Sequence, residues 1–148
     1  MITRNDIVAV ARKYVGTPFH HMGRSPGVGL DCVGVPICVM RELKATAPDF
    51  DVPNYAISPE GTALMAWCNE SLPPVQKSEI RAGDLIVLII DKFPQHVGIV
   101  GSLPNGELTI IHAAGGANPP RVLETRMAFG KWMRFVAAFS LLESSWVS

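Results

Sequence analysis

Gly29-Leu30-Asp31-Cys32-Val33-Gly34 is a turn of small residues that delivers one cysteine to the head of a strongly apolar segment. Downstream, Asp31 is placed to cap a helix running through Val33, Ile37, Met40 and Leu43, apolar on most sides at first and closed by Arg41, Glu42 and Lys44. A helix of that kind is central to its fold. Pro36 conflicts with a helix that already begins at Cys32, so either the first turn is irregular or the helix starts a little later. A thiol at a helix head faces unpaired N–H groups and the positive end of the helix dipole, which predicts a lowered pKa suited to a nucleophile. Cysteine is equally a common core residue, so the rest of the chain has to supply a base.

Upstream of the turn, Thr17–Leu30 contains Pro18, Gly23, Pro26, Gly27 and Gly29 with His20, His21 and Arg24 among them. So many breakers predict an irregular loop. Before it, Thr3 and Asp6 have the spacing of a capping box, and Ile7, Val10, Ala11 and Tyr14 recur at helical spacing until Gly16. After the central helix, Ala45–Ile57 carries Pro48 and Pro53 and reads as a surface connection. Ser58-Pro59-Glu60 is a helix start, followed by the stripe Leu64, Trp67 and Cys68, and Pro73-Pro74 stops that helix.

Beyond the prolines the periodicity changes. Arg81-Ala82-Gly83-Asp84 turns into Leu85–Ile90, a β-rich run bounded by Asp91 and Pro94. His96–Val100 predicts a second strand, Pro104-Asn105-Gly106 a hairpin turn, Leu108–Ala113 a third strand, and Arg134–Leu141 a later one. Helices first and strands afterwards, joined by short turns, predict an α+β fold with helices packed on an antiparallel sheet.

The chain has 148 residues, which fits one domain spanning 1–148 with a core that needs no disulfide staples. Thirteen basic residues balance thirteen acidic ones, so no global field draws the protein to nucleic acid or to an anionic membrane. Three cysteines, Cys32, Cys38 and Cys68, are an odd number without the spacing of a secreted framework, and all three read as reduced. Met1–Asp6 is polar and charged where a signal peptide needs an apolar core, and no apolar run reaches membrane-spanning length.

The strand half supplies two histidines. If Pro104-Asn105-Gly106 closes an antiparallel hairpin, His96 at the start of one strand lies beside His112 at the end of the next. Cys32, His96 and His112 then have the composition of a cysteine hydrolase: a thiolate that attacks a carbonyl, an imidazole that carries the proton, and a polar group that fixes the imidazole. Acting as an ion pair, the thiolate and imidazolium predict a bell-shaped pH profile. Each residue also has a plainer reading. Cys32 could be a packed thiol, and His96 and His112 strand-end histidines. Cys38 and Cys68 read as core, Trp67 and Trp132 as packing, Asp84 as a turn residue, and His20 and His21 as ligands, substrate contacts or solvated loop residues.

Gly16-Thr17-Pro18-Phe19, Asp31-Cys32-Val33-Gly34, Ala82-Gly83-Asp84-Leu85-Ile86, His96-Val97-Gly98-Ile99 and Ile111-His112-Ala113, in this order, resemble the motifs of the NlpC-type peptidoglycan peptidases. The loop His20-His21-Met22-Gly23-Arg24 with Gly27-Val28-Gly29-Leu30, and Arg134–Phe139, are similar to the branch found in phage tails and prophages. The resemblance implies a papain-like fold with the cysteine on a central helix against the sheet. It implies Cys32 as nucleophile, His96 as general base and acid, His112 as its orienting residue, and the Cys32 N–H as an oxyanion donor. Phe19, His20, His21 and Asp31 are the substrate-binding residues it implies, and the substrate an amide of a bacterial stem peptide, between D-glutamate and the diamino acid. No metal and no cofactor are implied. The partners expected are the stem peptide and phage tail proteins, with synthesis in the host bacterial cytoplasm and delivery in the tail of a virion. Two positions depart from the family pattern: Phe19 where tyrosine is usual, and Val33 where serine is. A tail-tip assembly component with an inactive site is the alternative. A zinc site from Cys32, His96, His112 and His21 is a third reading, against which stands the lack of closely paired ligands.

Overall fold

A computed structural model describes residues 1–52, 62–90 and 93–142. The first helix, α1 (Arg4–Lys13), has the capping box its sequence predicts: Asp6 N donates to Thr3 Oγ1 at 3.1 Å and Thr3 N to Asp6 Oδ2 at 2.8 Å. Gly16, at φ +95°, takes the left-handed turn that follows the helix end. The central helix α2 runs from Gly34 to Glu42. Pro36 is therefore its third residue, within the first turn, where a proline is tolerated. The later start is the one observed. In α3 (Thr62–Ser71) Leu64 and Cys68 are buried and Trp67 lies tilted against Phe50 at 6.0 Å. The proposed start of this helix at Ser58-Pro59-Glu60 lies outside the described residues.

Between α1 and α2 the chain is more ordered than its breakers predict. Two short strands, β1 (Arg24–Ser25) and β2 (Gly29–Leu30), pair antiparallel, and Phe19 bridges to Leu30. The main sheet holds β3 (Pro74–Val75), β4 (Leu85–Ile90), β5 (Phe93–Ser102), β6 (Leu108–Ala114), β7 (Arg121–Arg126) and β8 (Met133–Phe139), in the order β3-β8-β4-β5-β6-β7, every neighbouring pair antiparallel. Strand β7 has no counterpart in the sequence reading, because its alternation of Arg, Glu and Thr with Val and Leu is weak.

Alternation along the strands splits the apolar residues between two faces. Leu85, Val87, Val97, Ile99, Ile111 and Ala113 join the helices in the larger core, whereas Ile86, Leu88, Val100 and Ile110 form a second cluster covered by Met133 and Phe135. Each such side chain, fully buried, contributes about 1.5–3 kcal/mol. Ala45 and Val52 belong to the larger core too, so the connection after α2 is anchored and does not simply run over the surface. Trp132, expected to pack, is 67% exposed.

Arg81-Ala82-Gly83-Asp84 joins α1 to the sheet. Buried Asp84 accepts from Arg81 N at 2.8 Å and pairs with Arg4 Nη1 at 2.6 Å, and Gly83, at φ +95°, lets the Arg4 side chain lie against it. Asp84 is thus the turn residue the sequence indicates. No helix among the described residues is long and apolar enough to cross a membrane.

Candidate active site

Cys32 sits in the turn between β2 and α2, two residues ahead of the helix and not on it. Asp31 builds that turn. Its Oδ1 accepts from Gly34 N at 2.8 Å and from Arg24 Nη1 at 2.9 Å, and its Oδ2 from Met22 N at 2.8 Å. Asp31 is 3% exposed, so the residue expected to bind substrate instead locks the turn to the preceding hairpin. Gly34 is required for the same reason: a Cβ there would lie 2.3 Å from the Gly23 carbonyl oxygen, so its bareness seats the hairpin against the helix.

His96 and His112 come from neighbouring strands. The register Ile99 opposite Ile111 sets them diagonally across β5 and β6 on one face. Between them stands Gly98, where a Cβ would lie 3.2 Å from His112 Cβ and 2.6 Å from Ile110 Cγ2. The missing side chain lets the rings meet: His96 Nε2 is 2.6 Å from His112 Nδ1, with the rings edge to face at 4.8 Å between centroids. His112 is buried, and its Nε2 lies 3.1 Å from Thr125 Oγ1 on β7. Thr125 went unmarked in the sequence, since its place in the site depends on the unanticipated strand.

A cleft of about 340 Å³ brings Cys32, His96 and His112 together. Phe19 and Ile90 wall it, and Ala113–Ala117 forms a side of small residues, with the Phe19 ring over Gly115. Among the described residues lining it, none is a carboxylate, a lysine or an arginine. His20 and His21 are exposed and outside this lining, His20 Nδ1 lying 3.0 Å from the His21 carbonyl. Of the four substrate-binding residues expected, only Phe19 faces the cleft. Cys38 and Cys68 are buried elsewhere and are free thiols, as is Cys32. Among the described residues, no group of three His, Cys, Asp or Glu side chains is placed to hold a metal ion.

The electrostatics correct one expectation. Burial, with the Asp31 charge adding to it, pushes the Cys32 thiol up to about 11, although the N–H groups of Val97, Val33 and Cys32 itself pull the other way. Helix-head donors do act on the sulfur as anticipated, but desolvation of a thiolate outweighs them. Burial and then the neighbouring His112 hold His96 down at about 3, and burial holds His112 at about 4. Burial therefore favours the neutral thiol and the neutral imidazoles in the open cleft. Chemically, such an arrangement can use the imidazole as a base at the moment a sulfur attacks, with the charges forming together.

No family model matches the chain, and no curated protein matches it. Solved structures do. The NlpC/p60 domain of the peptidoglycan hydrolase SagA is similar with a TM-score of 0.61 and 24% identity, over 95% of this chain and 100% of that one. An N-acetylmuramoyl-L-alanine amidase from Bacteroides uniformis gives a TM-score of 0.51 and 14% identity, over 92% of this chain and 97% of that one. At these identities the likeness establishes the fold, α+β of the NlpC/p60 kind.

Proposed function

We propose that this protein is a cysteine peptidase or amidase that hydrolyses amide bonds in the stem peptides of bacterial peptidoglycan. The observation that carries the reading is the convergence of Cys32 with the hydrogen-bonded pair His96 and His112 in one cleft. Cys32 attacks the carbonyl carbon while its proton passes to His96 Nδ1, the ring nitrogen not engaged with His112. The tetrahedral oxyanion takes a hydrogen bond from the Cys32 N–H. It then collapses to a thioester as His96 returns the proton to the leaving amine. Water, deprotonated by the same imidazole, releases the acid and restores the thiol.

The named hydrolase and amidase among the similar structures support the substrate class. Five motifs in family order support the NlpC-type assignment, and the D-glutamyl to diamino acid bond follows from that resemblance. The loop around His20–Arg24 and the segment Arg134–Phe139 support a place in a phage tail or prophage, where tail proteins are the partners and the hydrolase opens the wall locally. Digestion of purified peptidoglycan by the wild type and Cys32→Ala tests the activity. Muropeptides released by the wild type alone are the expected result. Equal release by both would overturn Cys32 as the nucleophile, and release by neither would leave a tail component without catalysis.

A further inference from the structure

Hydrogen bonding through the two histidines does not end at His112, since its Nε2 meets Thr125 Oγ1 at 3.1 Å. We propose that Thr125 is a positioning residue whose hydroxyl, accepting from His112 Nε2–H, stabilises the imidazole tautomers that leave His96 able to take the Cys32 proton. This rests on the hydrolase reading above and assigns a fourth residue to the same site.

Counting protons makes the case. A neutral imidazole carries one N–H and one lone pair. At 2.6 Å, His96 Nε2 and His112 Nδ1 share one hydrogen between them. In the first arrangement His96 donates from Nε2, its Nδ1 is a free base, and His112 carries its own proton on Nε2, where it needs an acceptor. Thr125 Oγ1 is that acceptor. In the second arrangement His112 donates from Nδ1, the Thr125 hydroxyl turns to donate to His112 Nε2, and the His96 proton moves to Nδ1, which is then no longer basic.

The reaction itself removes the choice. Once His96 has taken the Cys32 proton it donates from both nitrogens, so His112 must accept at Nδ1 and carry its hydrogen on Nε2. Thr125 must then be an acceptor. Without the hydroxyl, that state leaves a buried N–H unpaired, which costs more than leaving a lone pair unfilled in the second arrangement. The effect therefore falls on the catalytic step and not on substrate binding.

Thr125→Val keeps the shape and suits a strand, whereas Thr125→Ser keeps the hydroxyl. With a soluble stem-peptide substrate, Thr125→Val should lower kcat about tenfold or more with KM within twofold, and Thr125→Ser should stay close to wild type. In protein labelled with 15N-histidine, wild type and Thr125→Ser should show His112 protonated on Nε2, and Thr125→Val should move that proton to Nδ1. An unchanged His112 tautomer in Thr125→Val would overturn the assignment, as would equal kcat losses in the Val and Ser variants or a loss confined to KM. Failure of the wild type to hydrolyse any stem peptide overturns the hydrolase reading instead, and the tautomer measurement still decides on Thr125.

Discussion

Burial favours the neutral forms of Cys32 and His96, and on the proposed mechanism this sets the expected pH dependence. On the proposed mechanism activity requires His96 unprotonated, and burial holds its pKa down at about 3, below the ordinary 6.5. The acid limb of kcat/KM should therefore fall well below 6.5, and the alkaline side should stay level until the thiol ionises near 11. A pH series with a stem-peptide substrate checks this, and an acid limb at 6.5 or higher would restore the ion-pair mechanism. Residue identities at the site were readable from the sequence, because a thiol and two histidines at turn and strand ends are few and chemically distinct. Their ionisation was not readable, because it is set by burial, and burial depends on what the fold places over them.

At the scale of elements, Asp31 joins the β1–β2 hairpin to the turn that carries Cys32. Asp31→Ala removes the acceptor of two backbone N–H groups and one arm of the Arg24 pairing, whose side chain also holds Asp51. Loss of a buried pair of this kind costs about 3 kcal/mol, measurable as a lower urea midpoint, with activity falling further than stability at working temperature. A midpoint within experimental error of wild type would show the turn to be held by packing alone. The loop before the turn read as irregular since its glycines and prolines break any period. Instead it is fastened by tertiary contacts: Phe19 N donates to the Pro120 carbonyl at 3.0 Å, Gly27 N to Thr17 Oγ1 at 2.9 Å, and Gly16 N to the Val122 carbonyl at 2.9 Å. The last of these, with Val122 N on the Thr17 carbonyl, covers the outer edge of β7.

For the whole molecule, two imidazoles kept from protonation by burial beside the cleft make stability depend on pH. Both have folded pKa values depressed below 6.5, so the unfolded chain binds protons first as pH falls. Their contribution is complete above 6.5 and is lost progressively down to about 3 to 4. Urea midpoints should fall as the solution is acidified through that window, and His96→Asn with His112→Asn should flatten the fall; equal slopes for both proteins would assign the acid sensitivity to other groups. The sequence by itself determined the α+β class, the capping box, the strands Leu85–Ile90 and Leu108–Ala113, the turn at Asp84 and the three residues that converge. These rest on local propensity, period and turn chemistry, which act over a few neighbouring residues. Only the tertiary structure decided that Asp31 is structural, that His20 and His21 lie outside the cleft, that β7 exists, and that Thr125 completes the histidine chain. Each of those depends on which groups the fold brings together or on the removal of water, and neither follows from local propensity or period.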